Sequence, residues 1–94
     1  MRHDLKTIQP YFNDVRTGVK CFELRKDDRG FAVGDVLNLA EYVNGALTGA
    51  VITAKVIYLL RDAPQFGLMP GYVILGIEKL AVFPPGTFTR DGGK

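Results

Sequence analysis

The dipeptide Asn44-Gly45 constrains this chain more than any other feature. Both residues tolerate positive φ, and they sit between two runs of strand character, VLNLAEYV at 36–43 and the apolar stretch from about Ala50 to Leu60. The pair predicts a tight reversal and an antiparallel hairpin. A third apolar run, from Tyr72 to Phe83, is rich in β-branched residues at its start and broken by Gly76, where a bulge or barrel bend fits. It reads as a central strand, or as two. Between them, RDAPQFGLMPG at 61–71 carries two prolines and two glycines and reads as a long surface loop. The second half of the chain is therefore expected to form a strongly twisted antiparallel sheet or barrel.

The first third adds the α component. Ile8, Tyr11, Phe12 and Val15 follow the i, i+3, i+4, i+7 spacing of one helix stripe, which predicts about three turns with Pro10 in the first and Gly18 at the end. In CFELR at 21–25, Phe22 and Leu24 alternate with Glu23 and Arg25, so the apolar pair is expected to face the core and the polar pair solvent. KDDRGFAVG at 26–34 reads as a polar connection partly anchored by Phe31 and Val33. After Phe83 the composition of PPGTFTRDGGK predicts a flexible tail over 84–94, leaving 1–83 as a single domain.

Composition narrows the function classes. With 94 residues, 47% apolar and 23% charged, the chain suffices for one hydrophobic core and leaves no room for a second. Cys21 is the only cysteine, which excludes an intramolecular disulfide, and no Cys/His cluster has zinc-ligand spacing. No metal and no cofactor is therefore expected, and the compartment expected is the cytoplasm. A charged N-terminal stretch and the lack of any apolar run of about 18 residues argue against a signal peptide or a membrane span. Net charge is only +2, yet Arg2, Lys6, Arg16, Lys20, Arg25, Lys26 and Arg29 all fall in the first third, enough for a basic face.

Two segments carry a family resemblance. HDLK at 3–6 and TGVKCFELRKDDRGFAVGDVL at 17–37, with the Glu41-Tyr42 strand ending and GYVILGI at 71–77, resemble the ASCH domains of the PUA-like superfamily, in particular a small ASCH-related branch of bacterial and phage proteins. The most specific part is the G-x-K-x-x-E-x-R run of Gly18, Lys20, Glu23 and Arg25. The resemblance implies an α+β fold, a PUA-like twisted antiparallel β-barrel with one or two helices packed outside. It also implies binding of RNA or a modified nucleoside in a cleft beside the barrel.

Lys20, Glu23 and Arg25 form the first candidate site. A cation beside a carboxylate can hold a phosphate or a polar base edge while the acid accepts from a base amino group; the plainer reading is an ordinary ion pair on a solvated face. One ASCH relative is a small amidohydrolase that deacetylates N4-acetylcytidine with a lysine, a threonine three residues on, and a later glutamate. Lys20 matches the lysine, whereas Glu23 stands in the threonine's place. An amidohydrolase reading therefore assigns Glu23 or Glu41 as general base on water, with Lys20 or Arg25 stabilising the oxyanion.

The resemblance places His3 and Lys6 near the same cleft, for ligand contact or, at His3, proton transfer, against the plainer reading of an exposed or hydrogen-bonded histidine and a solvated cation. Arg29 is a further contact candidate because guanidinium pairs with phosphate and stacks on bases; its alternative is to tie the loop to a neighbour. Tyr42 is a candidate stacking residue. Cys21 reads as a small strand residue, and no P-loop, dinucleotide fingerprint or metal-ligand spacing is present. A remaining alternative is a mobile-element protein that binds a host protein through the 61–71 loop.

Overall fold

A computed structural model describes residues 1–86, in which five strands build one curled sheet with a single short α-helix against it. Residues 87–94, where most of the expected tail lies, are outside the described residues. The hairpin is where the sequence puts it. Strands β3 (Val36–Val43) and β4 (Ala46–Leu60) meet at Asn44 and Gly45, with φ of 51° and 82°, and Val43 pairs with Ala46. Strand β4 begins directly after the turn, several residues ahead of the run whose apolar character marks it. β5 (Tyr72–Phe83) is one continuous strand antiparallel to β4.

Gly76 marks the bend. The β4–β5 register slips between Val56 and Tyr58, and a Cβ on Gly76 would lie 3.0 Å from the Tyr58 Cβ. Glycine lets the two backbones come this close. β2 (Phe22–Lys26) adds antiparallel to β5, and β1 (Arg2–Thr7) adds to β3, for a sheet order of β1-β3-β4-β5-β2. β1 runs parallel to β3, so the sheet is mixed where a wholly antiparallel one was expected. The intervening helix and β2 supply the crossover that a parallel pair requires.

The helix is shorter than its stripe suggests. α1 covers Tyr11–Arg16, with Phe12 and Val15 buried, while Ile8 lies ahead of it and is exposed. Gly18, at φ 88°, ends the turn as expected. Phe12 and Val15 join inward-facing Leu37, Leu39, Ile52, Val56, Val73 and Leu75 in the core, with Phe31 closing it from the β2–β3 connection. Val33, the other expected anchor, is exposed. The 61–71 loop contains a 3-10 turn at Pro64–Phe66, and Arg61 ties it to Asp27 (2.7 and 3.3 Å) and to the Phe31 carbonyl (2.9 Å).

Closure of the sheet is incomplete in a way that positions the site. The two edge strands, β1 and β2, face one another across a gap that no backbone hydrogen bond spans among the described residues. Arginines cross it instead: Arg25 Nη1 donates to the Lys6 carbonyl at 3.0 Å, Arg25 Nη2 to Thr7 Oγ1 at 2.9 Å, and Arg29 Nη1 to the Asp4 carbonyl at 2.9 Å. The β1 edge would otherwise present these carbonyls unpaired.

Candidate functional site

The short β2 strand turns over relative to its hydrophobic pattern. Phe22 and Leu24, expected inside, are exposed, while Glu23 is 3% exposed. The reason lies in the flanking cations. Glu23 Oε2 accepts from Lys20 Nζ at 2.7 Å, and Oε1 accepts from Arg25 Nε at 3.0 Å with Nη2 at 2.8 Å. A carboxylate with both oxygens bound to cations can be buried at tolerable cost, whereas an unpaired one cannot. Two ion pairs thus decide which face of β2 turns inward.

Above this buried acid lies a cleft of about 520 Å³ at the β1–β2 gap. Its charged floor is Lys20, Glu23 and Arg25, and its walls include Ile8, Tyr11, Phe22 and Leu24. Tyr11 is 49% and Phe22 46% exposed, and Lys20 Nζ lies 5.9 Å and 4.9 Å from their ring centroids. Lys6 also lines the cleft, with its ammonium 4.8 Å from the Tyr42 ring centroid. Three cations against one carboxylate leave the cleft formally positive by two charges. Such a site suits a planar, polar or anionic ligand.

A family model described as a domain of unknown function, DUF3850, matches residues 2–77. The chain belongs to the DUF3850 family. The matched span runs from β1 into β5 and includes every residue that lines the cleft. The chain is also similar to an uncharacterised 12.9 kDa protein in the GpA 3′ region of Escherichia phage P2, at 41% identity over 54 residues. That stretch is 57% of this chain and 50% of the phage protein, so the chain spans about half the length of the curated relative it matches.

Within the DUF3850 domain the remaining candidates separate. His3 is in a buried cluster at the opposite end of β1 from Thr7, not in the cleft: its Nε2 is 2.8 Å from Asp35 Oδ2, and its ring is 4.7 Å from that of Phe31. Asp35 also accepts from the Ala32 amide (3.0 Å) and from the Met1 amine (3.1 Å). The His3 hydrogen bond is the main reason the Asp35 carboxyl falls from 3.8 to about 2, with the Ala32 and Met1 contacts adding to it against the effect of burial. Arg29 is spent on the β1 edge and an exposed contact with Asp28 at 3.9 Å.

Glu41 belongs to neither cluster. It sits where the β3–β4 register shifts between Ala40 and Tyr42, and its carboxylate accepts from Gln9 Nε2 (2.6 Å) and Thr48 Oγ1 (2.7 Å) and lines a different groove. Tyr42 reaches the cleft only through Lys6. The structure therefore brings together Lys6, Lys20, Glu23 and Arg25 and sets His3, Arg29, Glu41 and Tyr42 outside the lining. Thr7, Ile8, Tyr11, Phe22 and Leu24 are the cleft residues that the sequence reading missed. One signal for the strand inversion was available, since Glu23 is bracketed by Lys20 and Arg25. Among the described residues no group of three His, Cys, Asp or Glu side chains could hold a metal ion, and no helix is long and apolar enough to cross a membrane.

Proposed function

We propose that the DUF3850 domain binds a nucleobase, in a free nucleoside or in single-stranded RNA, with the β1–β2 cleft as its site. The observation that supports this reading most is the pairing of exposed Phe22 and Tyr11 with a floor in which buried Glu23 is held by partly exposed Lys20 and Arg25. An aromatic ring with no place in the core offers a stacking surface, and the excess positive charge attracts a sugar-phosphate backbone. The G-x-K-x-x-E-x-R resemblance to ASCH domains points to the same ligand class and to a PUA-like barrel.

Hydrolysis of an acylated cytidine is the weaker reading. The second acid it calls on, Glu41, is engaged with Gln9 and Thr48 in another groove, and both oxygens of Glu23 are taken by cations. A general base needs a free lone pair aimed at water in the site. Binding without turnover fits these contacts better.

The experiment is calorimetric titration of the protein with the common nucleosides and with short single-stranded RNA at two salt concentrations. Binding that weakens in Phe22→Ala and in Lys20→Ala, and for RNA also with salt, is expected. Full retention of affinity in both variants would remove the cleft from consideration.

A further inference from the structure

The cleft is bounded by strand edges, and the β2–β5 hydrogen bonds fix which backbone groups face it. Ile77 N–H donates to the Cys21 carbonyl at 3.0 Å and Asp27 N–H to the Gly71 carbonyl at 2.8 Å, on a register that runs unbroken from Phe22 opposite Gly76 to Lys26 opposite Tyr72. Residues of an antiparallel strand alternate between turning N–H and C=O toward the partner and turning them away. Cys21, Glu23, Arg25 and Asp27 therefore point theirs at β5. Phe22, Leu24 and Lys26 point theirs at the gap.

Two of the three outward carbonyls have found a partner. Lys20 Nζ donates to the Phe22 carbonyl at 2.7 Å, and the Asp28 amide to the Lys26 carbonyl at 3.0 Å. Across the gap, Arg25 and Arg29 take the Lys6 and Asp4 carbonyls. Both main-chain groups of Leu24 remain unpaired among the described residues, and Leu24 lines the cleft. The side chains on the floor have already bonded one another; the Lys6 ammonium and the Tyr11 hydroxyl are single polar groups of the lining, and the Leu24 main chain is where a free donor and a free acceptor lie side by side.

Building on the nucleobase reading, we infer that the cleft recognises its ligand through the main chain of Leu24, whose N–H and C=O pair with a ring edge carrying an acceptor beside a donor. The lactam edges of uracil and guanine and the amidine edges of cytosine and adenine have this pattern; a ring blocked along that edge does not. Phe22 and Leu24 side chains emerge on one side of the same strand and supply an apolar wall next to that edge. A backbone pair dried by a ligand that cannot complement it is left unsatisfied, which makes the site selective. The chemistry resembles addition of a strand to a sheet edge, with the base edge in place of a peptide.

The test compares uridine with N3-methyluridine and cytidine with N4,N4-dimethylcytidine, on the wild-type protein, Leu24→Ala and Leu24→Pro. The Leu24 N–H faces the gap, so proline removes a donor that the sheet does not use. The unmethylated member of at least one pair is expected to bind about tenfold tighter or more, with the preference kept in Leu24→Ala and lost in Leu24→Pro. If circular dichroism shows Leu24→Pro unfolded, the methylated pairs on the wild-type protein decide alone. Equal binding of both members of each pair overturns the main-chain inference and leaves the nucleobase reading standing. Binding of no nucleoside, with an alternating Thr-Val heptapeptide bound instead, overturns both and makes the edge a strand acceptor.

Discussion

Two buried carboxylates near the ends of β1 solve the same problem in different surroundings. Asp35 is held by His3, the Ala32 amide and the Met1 amine beside the Phe31 ring, a core residue. Glu23 is held by Lys20 and Arg25, whose side chains stay 15% and 23% exposed, under a cleft walled by half-exposed aromatic rings. In the first cluster His3 and Asp35 are packed into the fold, and the carboxylate is fully engaged, with the exposed Met1 amine at its rim. The second opens on solvent with apolar surface and backbone groups left over. A buried ion pair alone therefore says little about function; what surrounds it separates a structural cluster from a candidate site.

Removing each acid in turn sharpens that contrast. Asp35→Ala leaves His3, the Ala32 amide and the Met1 amine without their acceptor, and a loss of about 3 kcal/mol in urea unfolding is expected, with ligand affinity of the folded protein unchanged. The same group sets the acid limit. Because its folded pKa is depressed to about 2 from an ordinary 3.8, its contribution is fully present above about pH 4 and is lost as pH falls toward 2. Denaturant unfolding at steps from pH 6 to 2 should show that decline, and a visibly shallower one in Asp35→Ala.

Glu23→Gln is expected to be milder for stability, about 1–2 kcal/mol, since the two cations it strands can turn toward water. Its thermal unfolding midpoint should fall less than that of Asp35→Ala. The smallest stability effect belongs to Phe22→Ala, within about 0.5 kcal/mol because the ring has little to lose from the core. Nucleoside affinity should nevertheless drop about tenfold, as loss of a stacking platform implies. A large destabilisation by Phe22→Ala would break the comparison, because the ring would then be part of the core.

How much of this was written in the sequence differs between the same two regions. Asn44-Gly45, Gly76 and Gly18 announce the hairpin, the bend and the helix end through local backbone chemistry, which needs no tertiary information. β1 is nearly silent because two of its three inward residues are His3 and Thr7, so apolar alternation is absent. β2 misleads because alternation alone assumes that apolar residues turn inward, and here two cations neutralise an acid and reverse the choice. Lys20, Glu23 and Arg25 were legible as a unit through their spacing. The aromatic walls were not, since Tyr11 reads as a core residue of its helix stripe until Ile8 leaves that stripe.

The central claim is that the β1–β2 cleft, and not the His3–Asp35 cluster, meets a nucleobase. Amide chemical-shift titration of the ¹⁵N-labelled protein with uridine and cytidine tests it most directly. Saturable shifts concentrated at 6–11 and 20–25, strongest at Leu24 and absent at His3, Phe31 and Asp35, are predicted. Shifts that gather around Asp35 or the 61–71 loop, or no saturable shift at all, would contradict it.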